Sequence, residues 1–178
     1  MPIIFASTSK ITFPGAGVAV AAGSPNNVAT LKSRMKFQTI GPDKLNQLRH
    51  ARMLNSAKDL YEHMKKHAAI IRPKFESVLN ELEARIKDTG VAHWTNPKGG
   101  YFISFDSLPG CAKDIYNLCK NAGLTLTSAG ATYPYGKDPQ DSNIRIAPSF
   151  PTPEEMAMAT NLFVLCVKLV SVEKLLNK

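Results

Sequence analysis

The stretch Phe5-Ala6-Ser7-Thr8-Ser9-Lys10-Ile11-Thr12-Phe13-Pro14-Gly15-Ala16-Gly17 decides how the rest of the chain is read. Ile3 to Ser7 has the character of a short buried strand, and it runs straight into the turn Thr8-Ser9-Lys10. Pro14, Gly15 and Gly17 then break the chain before a second strand at Val18 to Ala22. A lysine at the end of a buried strand sits where burial favours the neutral amine, the form that attacks an aldehyde carbon. The hydroxyls of Ser7 and Ser9 could hydrogen-bond a phosphate near that amine. A lysine that snorkels from a strand end to the surface is the competing reading, and the segment alone leaves both open.

Downstream, Ser24 with Pro25 behind it forms a helix start, and a further helix follows Gly41-Pro42 with Leu45, Leu48, Ala51 and Leu54. From Ser56 to Lys87 apolar residues recur every three or four positions, from Leu60 through Phe75 and Leu82 to Ile86, which predicts one long helix with a single apolar stripe. Pro73 should kink it and Gly90 should end it. Tyr101, Ile103 and Phe105 alternate with Phe102, Ser104 and Asp106 as in a strand. A helix over Ala112 to Ala122 stops at Gly123. Short strands are expected at Leu124 to Thr127 and at Ile144 to Ala147. Thr152-Pro153-Glu154-Glu155 is a capping box that opens the last helix, whose buried face is read as Met156, Ala159, Phe163, Cys166, Val170 and Leu176.

The second chemical signal is Asn143-Ile144-Arg145-Ile146-Ala147-Pro148. Alternation puts Ile144 and Ile146 on one face of a strand and Arg145 on the other. An arginine among apolar neighbours needs an anionic partner, and its planar fork matches a carboxylate. That carboxylate could belong to the protein or to a ligand.

Composition bounds the rest. The chain has 178 residues, 44% hydrophobic and 20% charged, which is the make-up of a globular protein. Its formal net charge of +8 invites a nucleic-acid partner, but the basic residues are scattered and no zinc-finger or RNA-binding signature accompanies them. Nucleic acid is therefore not expected as a partner. No apolar run is read as long enough to span a bilayer, so no membrane partner is expected either. The stretch after Lys10 imitates a signal peptide, yet Pro14, Gly15 and Gly17 would break its helix. Cys111, Cys119 and Cys166 lack metal-ligand spacing and read as buried, reduced thiols of a cytoplasmic protein. His50, His63, His67 and His93 show no metal pattern; His63 and His67 fall four apart on a helix, as on a solvated face.

Taken together, Ser7-Thr8-Ser9-Lys10 with Phe13-Pro14-Gly15, then Gly41 to His50, then Gly99-Gly100-Tyr101-Phe102-Ile103-Ser104, resemble the fold-type I aminotransferases, the aspartate aminotransferase superfamily. The resemblance covers essentially the whole chain and is closest to a MocR-like aspartate aminotransferase subgroup. It implies an α/β fold: the carboxy-terminal portion of the PLP-dependent transferase fold, with residues 1–57 ending the large cofactor-binding domain. Residues 58–178 would then form the connecting helix and the small domain.

It further implies pyridoxal 5'-phosphate as cofactor, Lys10 as the Schiff-base lysine and catalytic proton carrier, and Ser7 with Ser9 as phosphate ligands. Arg145 would hold the substrate α-carboxylate, with Tyr101 lining the pocket. An amino acid, with aspartate expected, and a 2-oxo acid would be the substrates. A homodimer is implied too, with the segment Thr39 to Lys44 approaching the neighbouring subunit's site. Where many members carry a phosphate-binding arginine, this chain has Gly17. The carboxylate for the pyridine nitrogen and the ring-stacking aromatic belong to the amino-terminal half of such proteins. A MocR-type transcription regulator, which fuses a DNA-binding helix-turn-helix to such a domain, is the alternative, as is an inactive truncated product.

Overall fold

A computed structural model describes residues 2–177, which separate into two compact units with the boundary between His67 and Ala68. In the first unit, β1 (Ile4–Ser7) and β2 (Ala19–Ala22) pair antiparallel, with Ile4 opposite Ala22 and Ser7 opposite Ala19. Both strands are exposed along their whole length, so the expected buried strand is corrected. A two-stranded ribbon cannot bury a face by itself, whatever its residues. Two helices follow. Ser24 caps α1 (Pro25–Met35) by accepting from the Asn27 N–H at 3.3 Å, and Asp43 caps α2 (Lys44–Met53) by accepting from Asn46 at 2.9 Å. Leu45 and Leu48 are exposed, and Leu54 lies beyond the helix as its C-cap.

The long helix α3 (Ala57–Arg85) begins in this unit and continues unbroken past Pro73 into the second. Ser56 and Asp59 hold its start: Asp59 N–H donates to Ser56 Oγ, and Asp59 Oδ2 accepts from the N–H of the preceding Asn55. Its apolar stripe is buried only at Phe75, Val78 and Leu82; Met64 is exposed. His63 and His67 are half-buried, not solvated: their rings lie 4.5 Å apart and His63 Nε2 meets the Ile11 carbonyl at 2.9 Å.

The second unit is built on an antiparallel sheet in the order β3 (Ala92–Trp94), β4 (Ile103–Ser107), β5 (Asn143–Ile146). One face supplies Ile103, Phe105, Ile144 and Ile146 to an apolar core. The end of α3, α4 (Ala112–Asn121) and α5 (Pro153–Leu176) complete that core. Phe105 sits at its centre, stacked on Trp94 at 6.2 Å and edge-on to Phe163 at 5.0 Å. The capping box at Thr152 and Glu155 is formed in both directions.

Three expectations need correction here. Leu124 to Thr127 pairs with no strand and is irregular, because the ladder ends at β5. Leu176 is exposed, because it lies beyond Val170, the last core residue of α5. By length and composition α5 is apolar enough to cross a membrane, contrary to the reading of the sequence. Its residues Met156, Phe163, Val167 and Val170 are nevertheless buried in the core, which accounts for the composition.

Candidate functional site

The Lys10 turn is a local construction. Thr8 closes the hairpin from both sides: its N–H donates to the Val18 carbonyl at 2.9 Å, and its hydroxyl accepts from the Val18 N–H at 2.9 Å. Ile11 and Thr12 N–H groups then donate to the Thr8 carbonyl at 2.8 and 2.9 Å, one helical turn with Lys10 in its middle. Lys10 is exposed rather than buried, because the ribbon it follows is exposed. Ser7 and Ser9 hydroxyls lie 2.7 Å apart, and Ser9 N–H donates to Ser7 Oγ. Two hydroxyls and a lysine thus share one turn, a donor set that suits a phosphate carried next to an aldehyde.

Gly17 has a steric reason. A Cβ there would meet Ser9 Oγ at 2.5 Å and the Ser9 Cα at 2.7 Å. No arginine, or any other side chain, fits at 17 while Ser9 holds this position, so the departure from the family pattern belongs to the turn itself. The Gly17 carbonyl also accepts from Asn46 Nδ2 at 3.3 Å.

Arg145 lies on β5 opposite Ser104, on the sheet face away from the core. Its guanidinium carbon is 4.5 Å from the centre of the Phe102 ring. Asp106, the carboxylate on the same face of β4, is taken: Asn143 Nδ2 donates to it at 2.8 Å and to Ser104 Oγ at 2.9 Å. Asn143 Oδ1 accepts in turn from Thr132 at 2.6 Å. Among the described residues Arg145 forms no ion pair, and its buried Nε has no hydrogen-bond partner. A cavity of about 180 Å³ opens beside it, lined also by Leu126, Thr127, Pro148, Met156 and Thr160. A buried guanidinium N–H without an acceptor is costly unless a ligand supplies one.

The residue against Arg145 is Phe102, which the sequence did not single out; alternation on β4 was the available signal. Tyr101 is half-buried, just before β4, and does not line this cavity. A larger concavity of about 710 Å³ lies around His93, Asp106 and Tyr133 and contains none of the expected residues.

Below β5, Asp138 accepts from the backbone N–H groups of Ser142 and Asn143, each at 2.8 Å, and of Gln140 at 3.0 Å. Burial opposes its ionisation, but these donors outweigh it and hold the carboxyl below its usual range. Cys111 and Cys119 are buried, and burial pushes both thiols up, with Cys166 adding to the effect at Cys119.

The chain is similar to known proteins along its whole length. Residues 1–178 match the aspartate amino-transferase family. An aspartate aminotransferase of Corynebacterium glutamicum is 45% identical over 173 residues, 97% of this chain and 40% of its own. The crystal structure of an aspartate transaminase from the same organism superposes with a TM-score of 0.92, covering 96% of this chain and 40% of that one at 45% identity. At 19% identity and a TM-score of 0.76, the α-aminoadipate aminotransferase of Thermus thermophilus, crystallised with a phosphopyridoxyl-leucine, shares the fold over 94% of this chain and 42% of its own. An uncharacterized helix-turn-helix transcriptional regulator of Bacillus subtilis is 31% identical over 129 residues, 71% of this chain and 26% of its own. The chain spans about 40% of the length of the aminotransferases it matches. It has the α/β fold of the carboxy-terminal portion of the PLP-dependent transferases, and it belongs to the aspartate aminotransferase family.

Proposed function

We propose that this chain is part of a pyridoxal-phosphate-dependent aminotransferase that moves an amino group from an amino acid, with aspartate the best candidate, to a 2-oxo acid. One observation carries the reading: Arg145 has a buried Nε with no hydrogen-bond partner, and among the described residues it forms no ion pair. A guanidinium with an unmet buried N–H suits a carboxylate that arrives from outside.

The family's cofactor, when bound, supplies an electron sink for the bonds at the substrate Cα. Lys10 would carry it and then move the proton at Cα with its Nζ. Ser7 and Ser9 would donate to the phosphate, in the space where Gly17 leaves no room for an arginine. Arg145 would orient the substrate carboxylate, and Phe102 would hold the guanidinium plane. Residues 1–57 would end the larger domain of the parent enzyme and 58–178 would form the smaller one.

Arg145→Ala tests the reading. In the holoenzyme it is expected to raise KM for amino acids steeply and to weaken dicarboxylate inhibitors, a loss on the order of 2–5 kcal/mol. Unchanged kinetics in a folded variant would remove Arg145 from the site. The helix-turn-helix relative supports a second reading, the effector domain of a MocR-type regulator. The coding sequence upstream of Met1 separates the two: a DNA-binding helix-turn-helix there would favour the regulator.

A further inference from the structure

We propose that His50 is a positioning residue for Lys10. Its imidazole grips the two threonines that flank the lysine and thereby fixes the turn from which the amine extends. The proposal deepens the reading above and rests on it for the lysine's role.

Thr8 and Thr12 lie two residues before and two residues after Lys10. His50 reaches both from α2: Nε2 is 2.7 Å from the Thr12 hydroxyl and 3.3 Å from the Thr8 hydroxyl. The Thr12 hydroxyl also lies 3.1 Å from Thr8 Oγ1 and 3.2 Å from the Thr8 carbonyl, so the three groups form one cluster. Among the described residues of the first unit, only Thr12 and His50 are buried, at 7% and 8% exposure.

The ring's tautomer follows from its other side. His50 Nδ1 is 2.8 Å from the Asn46 carbonyl, which can only accept, so Nδ1 carries a hydrogen. In this tautomer Nε2 is an acceptor, and the Thr12 hydroxyl donates to it. Phe13 packs edge-on against the imidazole at 5.2 Å, and Arg49 stacks on Phe13 at 4.3 Å, which holds the ring in place. Simple space-filling would need only the ring's bulk. This arrangement needs a donor at Nδ1 and an acceptor at Nε2, pointed in opposite directions.

The test compares H50L, H50Q and T12V with the wild-type holoenzyme. Hydrogen exchange is followed over Thr8 to Val18, and pyridoxal phosphate trapped on Lys10 by borohydride is quantified by peptide mass. H50L and T12V should speed exchange at the Ile11 and Thr12 amides by roughly tenfold, as loss of a buried hydrogen bond implies. They should also lower the Lys10 label while leaving β4 and α5 unchanged, and H50Q should restore much of both. Unchanged exchange in both H50L and T12V overturns the clamp. Faster exchange with undiminished labelling overturns the positioning role. A wild-type protein that takes no label at Lys10 refutes the cofactor reading instead, and the exchange data still decide the clamp.

Discussion

The two units of this chain are held together by different physics. Among the described residues every buried apolar one lies in the second unit, where the end of α3, α4, α5 and one face of the sheet close on Phe105 and Phe163. In the first unit the two buried residues among those described are polar, Thr12 and His50, and they are bonded to each other. Ile4, Phe5, Val20, Phe37 and Leu45 of the same unit stay exposed. Burial is a property of layers in contact, not of apolar residues as such. Caps, turns and one buried polar cluster can define a local shape without a core.

The contrast can be broken most sharply by truncation. Phe105→Ala should cost about 3–5 kcal/mol in chemical denaturation, because it empties the centre of a packed core. Phe5→Ala should change stability by no more than about 0.5 kcal/mol, since its side chain is already in water. Equal losses at the two sites would mean that the first unit has a core of its own.

The exposed apolar residues of the first unit predict self-association of the 178-residue chain. Sedimentation should show oligomers, and a variant with Phe5→Lys and Val20→Lys should return toward the monomer. A chain that is monomeric at high concentration would show that this surface is not adhesive.

Asp138 gives a pH-dependent difference confined to the second unit. Its folded-state carboxyl lies below its usual value, so its contribution is complete above the unfolded value of about 3.9 and fades as pH falls further. Asp138→Asn should cost about 1–3 kcal/mol at pH 7, and its gap from wild type should narrow in urea unfolding near pH 2. A gap that stays constant across that range would contradict the assignment.

The smallest effect is kinetic. Cys111 and Cys119, raised by burial, should react slowly with a disulfide reagent in the native chain and quickly once it is unfolded.

Much of the second unit was legible in the sequence because its signals are periodic or capped. The stripe through Phe75, Val78 and Leu82, the alternation through Ile103 and Phe105, and the Thr152 capping box each have a physical signature. β3 was missed because Ala92, His93 and Trp94 offer only three residues and no alternation. Leu124 to Thr127 was misread because β-forming residues do not supply a neighbouring strand. In the first unit the motif around Lys10 was visible while its surroundings were not: the contacts of His50 with Thr8 and Thr12 join residues 38 to 42 positions apart. Arg145 was placed correctly by alternation, but its Phe102 contact and its lack of an ion pair needed coordinates.

The central claim is that the turn at Ser7, Ser9 and Lys10 receives the cofactor, and it can be tested directly. The holoenzyme is reduced with borohydride, digested, and searched for pyridoxyl-modified peptides. The account predicts the label on Lys10, in the peptide that also contains Ser7 and Ser9. A label on any other lysine, with Lys10 unmodified, would contradict it.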